Sequence, residues 1–225
     1  MRKYAFADET GCTPDNVQLK PGKFLTELGS KEDLMVKTIH SSGGSPELAA
    51  LVSTEDPAKH HMKLFSIEQW AMDPNVKNGK VYLVVKEVEA PVVRMEQRIM
   101  FAIATISNMV KDKAFRRWAN SWMHNEDRSA DSALVIADAA QEELDGIDNL
   151  VAMGISTGGS HEDMKKQKET LSRITALANA AVLATDAGKS DDDVCQLLAV
   201  ATDNIQNIFK GENLIKLAQK ICAKQ

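Results

Sequence analysis

The stretch Lys80-Val-Tyr-Leu-Val-Val-Lys-Glu-Val88, followed by Glu89-Ala-Pro91 and then Val92-Val-Arg-Met-Glu-Gln-Arg-Ile-Met-Phe-Ala-Ile-Ala-Thr-Ile106, decides the fold, because the hydrophobic pattern changes within it. The first part is dense in β-branched and aromatic residues, as strands are. Pro91 disfavours a helical residue before it and cannot donate to a ladder, so it marks a boundary. Beyond it Met95, Ile99, Ala102, Ile103, Ile106 and Val110 recur at helical spacing.

Upstream, Met62-Lys-Leu-Phe-Ser-Ile67 alternates apolar and polar residues, which predicts a strand pairing antiparallel with 80–88. Asn78-Gly79 precedes the second strand and suits a tight turn. Asp33 to Ile39 reads as a further strand, and Lys23 to Leu28 as a short helix after Pro21-Gly22. Ser45-Pro46 starts a helix to about Val52, with the hydroxyl as N-cap and proline at the first helical position.

Downstream the helical period persists. Phe115, Trp118, Ala119 and Trp122 mark an aromatic helix, and a third helix runs from about Ser129 to Met153. Gly154 and Gly158-Gly159 break the chain, and Ser160 with Asp163 caps a fourth helix to about Thr185. Gly188 ends it. Ser190 and Asp191 to Asp193 start a fifth, with Val194, Leu197, Leu198, Ala201, Ile205, Ile208 and Phe209 at core spacing. Gly211 introduces a sixth with Leu214, Leu217, Ala218 and Ile221 inward. The expected class is α+β: a mixed α/β domain over 1–91 with a β-hairpin, then an all-α bundle of five or six helices over 92–225.

The 225 residues, 44% hydrophobic and 26% charged, exclude collagen-like, disulfide-scaffold and fully disordered classes. Lys plus Arg number 27 against 32 Asp plus Glu, a net charge of −5 that argues against broad coating of nucleic acid. Cys12, Cys195 and Cys222 lie far apart with no CxxC pair, so a reducing cytoplasm is expected. Asp8 and Glu9 interrupt the N-terminus before a signal-peptide apolar run develops, and no membrane span is expected.

Motifs for chemistry are sparse. His40-Ser-Ser-Gly-Gly-Ser45 lacks the lysine and spacing of a phosphate-binding loop and reads more simply as a capped turn. His60-His61 has no companion metal ligand, and in an extended segment the two rings point opposite ways. No catalytic residue, metal or cofactor is assigned. A small hydrolase using Cys12 or His40 is the enzyme alternative.

The third helix carries the clearest pattern. Asp131, Asp138, Glu142 and Asp145 share one stripe, opposite Ile136, Ala140, Leu144, Ile147 and Val151. Residues 126–148 hold eight acids and one base, whereas 94–117 hold six bases and two acids. The stripe is read as the face toward a basic protein partner, against two simpler readings: a solvated face, or neutralisation by the basic arm. That arm, Arg94, Arg98, Lys111, Lys113, Arg116 and Arg117, supports the alternative of a nucleic-acid binder.

Ala114 to Ala133, with Trp118, Trp122 and Asp127-Arg128-Ser129 followed by small residues, resembles the helical core of immunity-type proteins of bacterial toxin loci and phages. The likeness covers about residues 114–143 and not the first ninety. It implies a small helical binding protein with no catalytic residues to carry over. Without it the segment still has a physical reading: Asp127 or Ser129 caps the third helix, and the tryptophans anchor the turn in the core.

Overall fold

The strand-to-helix switch at Pro91 is present in the computed structural model, which describes residues 2–13, 16–26, 44–72, 80–153, 160–186, 189–203, 205 and 211–223. Its elements are β1 (Arg2–Ala7), β2 (Phe24–Thr26), α1 (Pro46–Leu51), β3 (Lys63–Met72), β4 (Lys80–Val88), α2 (Met95–Ile106), α3 (Lys113–Met123), α4 (Ala130–Ala152), α5 (His161–Leu183), α6 (Asp191–Ala201) and α7 (Gly211–Cys222). The class is α+β, an antiparallel sheet followed by helices.

The sheet has the order β1-β3-β4-β2 with every neighbouring pair antiparallel. The hairpin of β3 and β4 pairs Ile67 with Val84 and Leu64 with Val88, with irregularities at Ser66/Ile67 and Gln69/Ala71. β1 adds to β3 through Ala5 and Phe65. One sheet face builds a core of Ala5, Ala7, Leu19, Leu25, Phe65, Ile67, Tyr82 and Val84. Burying such side chains stabilises by roughly 1.5–3 kcal/mol each for the larger ones.

Lys23 to Leu28 departs from the reading as a helix. Phe24–Thr26 is a strand, and Glu27 and Leu28 lie outside the described residues. The cause is tertiary: Gly22 N–H donates to the Val84 carbonyl at 2.8 Å and Val84 N–H to that of Lys23 at 2.9 Å, so the segment completes the ladder of β4. Gly22 has φ 83°, which glycine adopts without strain. His60-His61 is not extended either; it ends a turn in which His61 has φ 49°. Asp33–Ile39, Asn78-Gly79 and the breaks at Gly154, Gly158-Gly159 and Gly188 lie outside the described residues.

Two compact units emerge, one of Met1–Arg94 with Gln206–Gln225 and the other of Met95–Ile205. In the first, α1 packs against β1 and α7. Ser45 Oγ accepts from Leu48 N–H at 3.2 Å, the cap expected ahead of Pro46.

In the second unit α4 lies along α5, α5 along α6, and α2 touches both α5 and α6. Helix α2 is buried nearly all round: Gln97 and Arg98 join Ile99, Phe101, Ile103 and Ile106 in the interior. Helix α5 starts on a capping box, Ser160 accepting from Asp163 N–H at 3.1 Å while the Asp163 carboxylate accepts from Ser160 N–H at 3.3 Å. Helix α6 is capped by Ser190 but stops at Ala201 rather than continuing to Phe209. Thr202, where the helix ends, returns its hydroxyl to the Leu198 carbonyl at 2.8 Å, and Ile208 and Phe209 lie outside the described residues.

Candidate protein-interaction face

The candidate face is held by the corner between α3 and α4. Asp112 caps α3 by accepting from Phe115 N–H at 2.7 Å. Phe115, Trp118 and Trp122 then fall on one buried stripe, and the Phe115 and Trp118 rings meet with centroids 5.8 Å apart. At the corner, Arg128 places its guanidinium 4.3 Å from the Trp122 ring centroid and donates through Nε to the Trp122 carbonyl at 3.0 Å. Asp127 accepts from Ser129 N–H at 2.9 Å and Ser129 Oγ at 2.7 Å, while Ser129 Oγ accepts from Ser132 N–H at 3.3 Å as the cap of α4. The Ser129 hydroxyl holds the Asp127 carboxyl below the usual range, with the Ser129 backbone N–H adding to it. This cap fixes where α4 begins, and packing along α5 sets which side of it faces out.

Ala133, Ile136, Ala137, Ala140 and Ile147 turn inward on α4. Of the residues expected opposite the acids, Leu144 is half-buried and Val151 is exposed near the helix end. Asp131, Asp138, Glu142 and Asp145 are all exposed along the outer side. Helical period places Leu134 and Val135 on that same side, 45% and 67% exposed. Asp145 accepts from Gln141 at 2.7 Å, whereas Asp131, Asp138 and Glu142 make no ion pair among the described residues. The α4 acids that do meet a neighbour are others: Glu143 accepts from Gln167 at 2.7 Å and Asp148 pairs with Lys168, both across to α5.

The basic arm divides differently from the linear reading. Arg98 is 2% exposed inside the second unit, so it offers nothing to a phosphate backbone. Arg94 is exposed in the first unit. Lys111, Lys113, Arg116 and Arg117 are exposed together at the start of α3, with Arg116 Nε donating to the Val110 carbonyl at 2.8 Å. Among the described residues none of these four pairs with an acid of 126–148, so neutralisation of one arm by the other is not observed.

In the first unit, Cys12 Sγ donates to the neutral Gln18 side-chain oxygen at 3.3 Å, a partner that cannot take its proton. His40 lies outside the described residues. A cleft of about 380 Å³ is lined by Pro57, His61, Lys63, Glu87, Glu89 and Pro91, among others. Among the described residues no three His, Cys, Asp or Glu side chains converge on a metal position. No helix among them is long and apolar enough to cross a membrane. Sequence reasoning missed an exposed aromatic pair, Phe24 and Trp70, packed edge to face at 5.8 Å. Trp70 follows Gln69 within an irregularity of β3, and no sequence period announces that displacement.

No known protein family, curated protein or solved structure matches the chain.

Proposed function

We propose that the protein is a non-enzymatic interaction module that binds a basic protein surface through the outer side of α4, in the manner of an immunity-type or phage-encoded inhibitor. One observation supports this most: Asp131, Asp138 and Glu142, unpaired among the described residues, share a face with the exposed Leu134 and Val135. Carboxylates at three- and four-residue spacing repel by about 0.2–0.5 kcal/mol per pair, so folding gains nothing by collecting them. An apolar centre rimmed by charge is how a partner surface is composed, and the acids would steer a cationic target toward it. An odd number of cysteines, far apart in sequence and with no CxxC pair, accords with a reducing, cytoplasmic setting.

Capture from extracts of the native cell tests the reading. The native chain should retain a basic protein, and Asp138→Lys/Glu142→Lys should lose it at an unchanged melting temperature. A variant that melts earlier yet still retains the protein overturns it. So does substrate turnover abolished by Cys12→Ala or His40→Ala.

A further inference from the structure

We propose that the unpartnered outer side of α4 docks on the cationic start of α3 in a second copy of this chain, giving a two-fold dimer. The inference rests on the reading of α4 as a partner face and names a partner for it. Its ground is charge complementarity with matched spacing. Lys113 and Arg117 stand four residues apart on α3, and Asp138 and Glu142 four apart on α4, so both pairs present charges at the same rise along a helix. All four side chains are exposed, and none makes an ion pair among the described residues.

The placement of the cations is as costly within one chain as that of the acids. The first turn of α3 holds no acidic residue, and Lys113 opens it with Lys111 just before. Positive charge there opposes the helix dipole, which within the chain only the Asp112 cap answers, and the carboxylates of a second copy would add to that complement. Leu134 and Val135 supply apolar area between the charges. A closed two-fold arrangement uses each contact twice, acids of one copy on cations of the other and the reverse. Each set of ion pairs then answers a repulsion that the single chain leaves standing.

Sedimentation velocity at low ionic strength, with the native chain and four double variants, tests this. The native chain should sediment as a dimer that dissociates as salt is raised. Asp138→Lys/Glu142→Lys and Lys113→Glu/Arg117→Glu should each be monomeric, and an equimolar mixture of the two should form a one-to-one complex. The neutral variants Asp138→Asn/Glu142→Gln and Lys113→Gln/Arg117→Gln should weaken association at least tenfold, which covers the case of a reversal that fails to fold. A native chain that stays monomeric at low salt overturns the proposal, as does a mixture that stays dissociated. A monomer that instead binds duplex DNA through Lys113 and Arg117 overturns it in favour of nucleic acid. A native chain that does not self-associate yet captures a foreign basic protein overturns this inference alone, and a native chain that does neither overturns the reading beneath it.

Discussion

The guanidinium of Arg128 lies 4.3 Å from the centroid of the Trp122 ring and its Nε donates to the Trp122 carbonyl, so one side chain fastens both the ring and the last turn of α3. The contact also sets the corner from which α4 departs. A cation over an indole contributes about 0.5–2 kcal/mol depending on desolvation, and a hydrogen bond from a charged donor about 1.5–3. Arg128→Ala should therefore cost about 1–3 kcal/mol of unfolding free energy in urea titration. Arg128→Lys should recover only part, because an ammonium lacks the planar fork that serves ring and carbonyl together.

Trp118 and Trp122 are 6% and 4% exposed, which makes them core and not contact residues. Trp118→Ala should cost roughly 3–5 kcal/mol and lower the melting temperature. Unchanged melting with lost partner binding would place the ring at an interface instead.

Arg173, 9% exposed on α5, donates through Nη1 to the Asp203 carbonyl at 2.6 Å, just past the end of α6. A cation at a helix C-terminus is favoured by the dipole, and no basic residue occupies the last turn of α6 itself. Arg173→Ala should destabilise the second unit by about 1.5–3 kcal/mol in denaturant titration. Hydrogen exchange should speed first at the end of α6.

Asp8, Asp127 and Asp163 all lie below the ordinary carboxylate range. In each the leading cause is a hydroxyl, from Thr10, Ser129 and Ser160 respectively, and backbone N–H groups add to it. A carboxylate depressed in the folded state contributes stability above its unfolded value, near 4 (about 3.9 for Asp), and that contribution is lost as pH falls through the lower folded value. Thermal melts should show these contributions flat through neutrality and falling below about pH 4. Ser160→Ala should return Asp163 toward its ordinary value and reduce that acid sensitivity.

A Cβ at Gly44 would lie 2.8 Å from Ile215 Cδ1, where the start of α1 meets α7. Gly44→Ala needs the flexible end of Ile215 to move, its Cγ1 lying 3.3 Å away, and should cost less than Gly44→Val, which should cost about 1–3 kcal/mol through overpacking. Ile215→Ala should relieve the valine variant, a coupling that a double-mutant cycle reads directly.

The helices were legible because their signals are local. Ser45, Ser129, Ser160 and Ser190 each cap the helix that follows, and helical period then locates the buried stripe. The strands of the hairpin showed through β-branched residues and alternation. β1 did not, because Arg2–Ala7 pairs with β3 more than fifty residues away, and its Ala5 and Ala7 are small residues that announce no strand. Phe24–Thr26 misled for the same reason: the ladder to β4 that makes it a strand is not written in its own residues. At the site, period alone aligned Asp131, Asp138, Glu142 and Asp145. It could not show that Arg98 turns inward or that Leu134 and Val135 stay uncovered, since burial depends on which helices pack against which face.

The association rate constant between the native chain and its captured basic partner, compared with that of Asp138→Lys/Glu142→Lys at low ionic strength, tests the central claim most directly. Electrostatic steering by the outer side of α4 predicts that the variant associates at least about tenfold more slowly, with the gap closing as salt is raised. Equal association rates at low salt would contradict the claim and leave the acids of α4 as a solvated face.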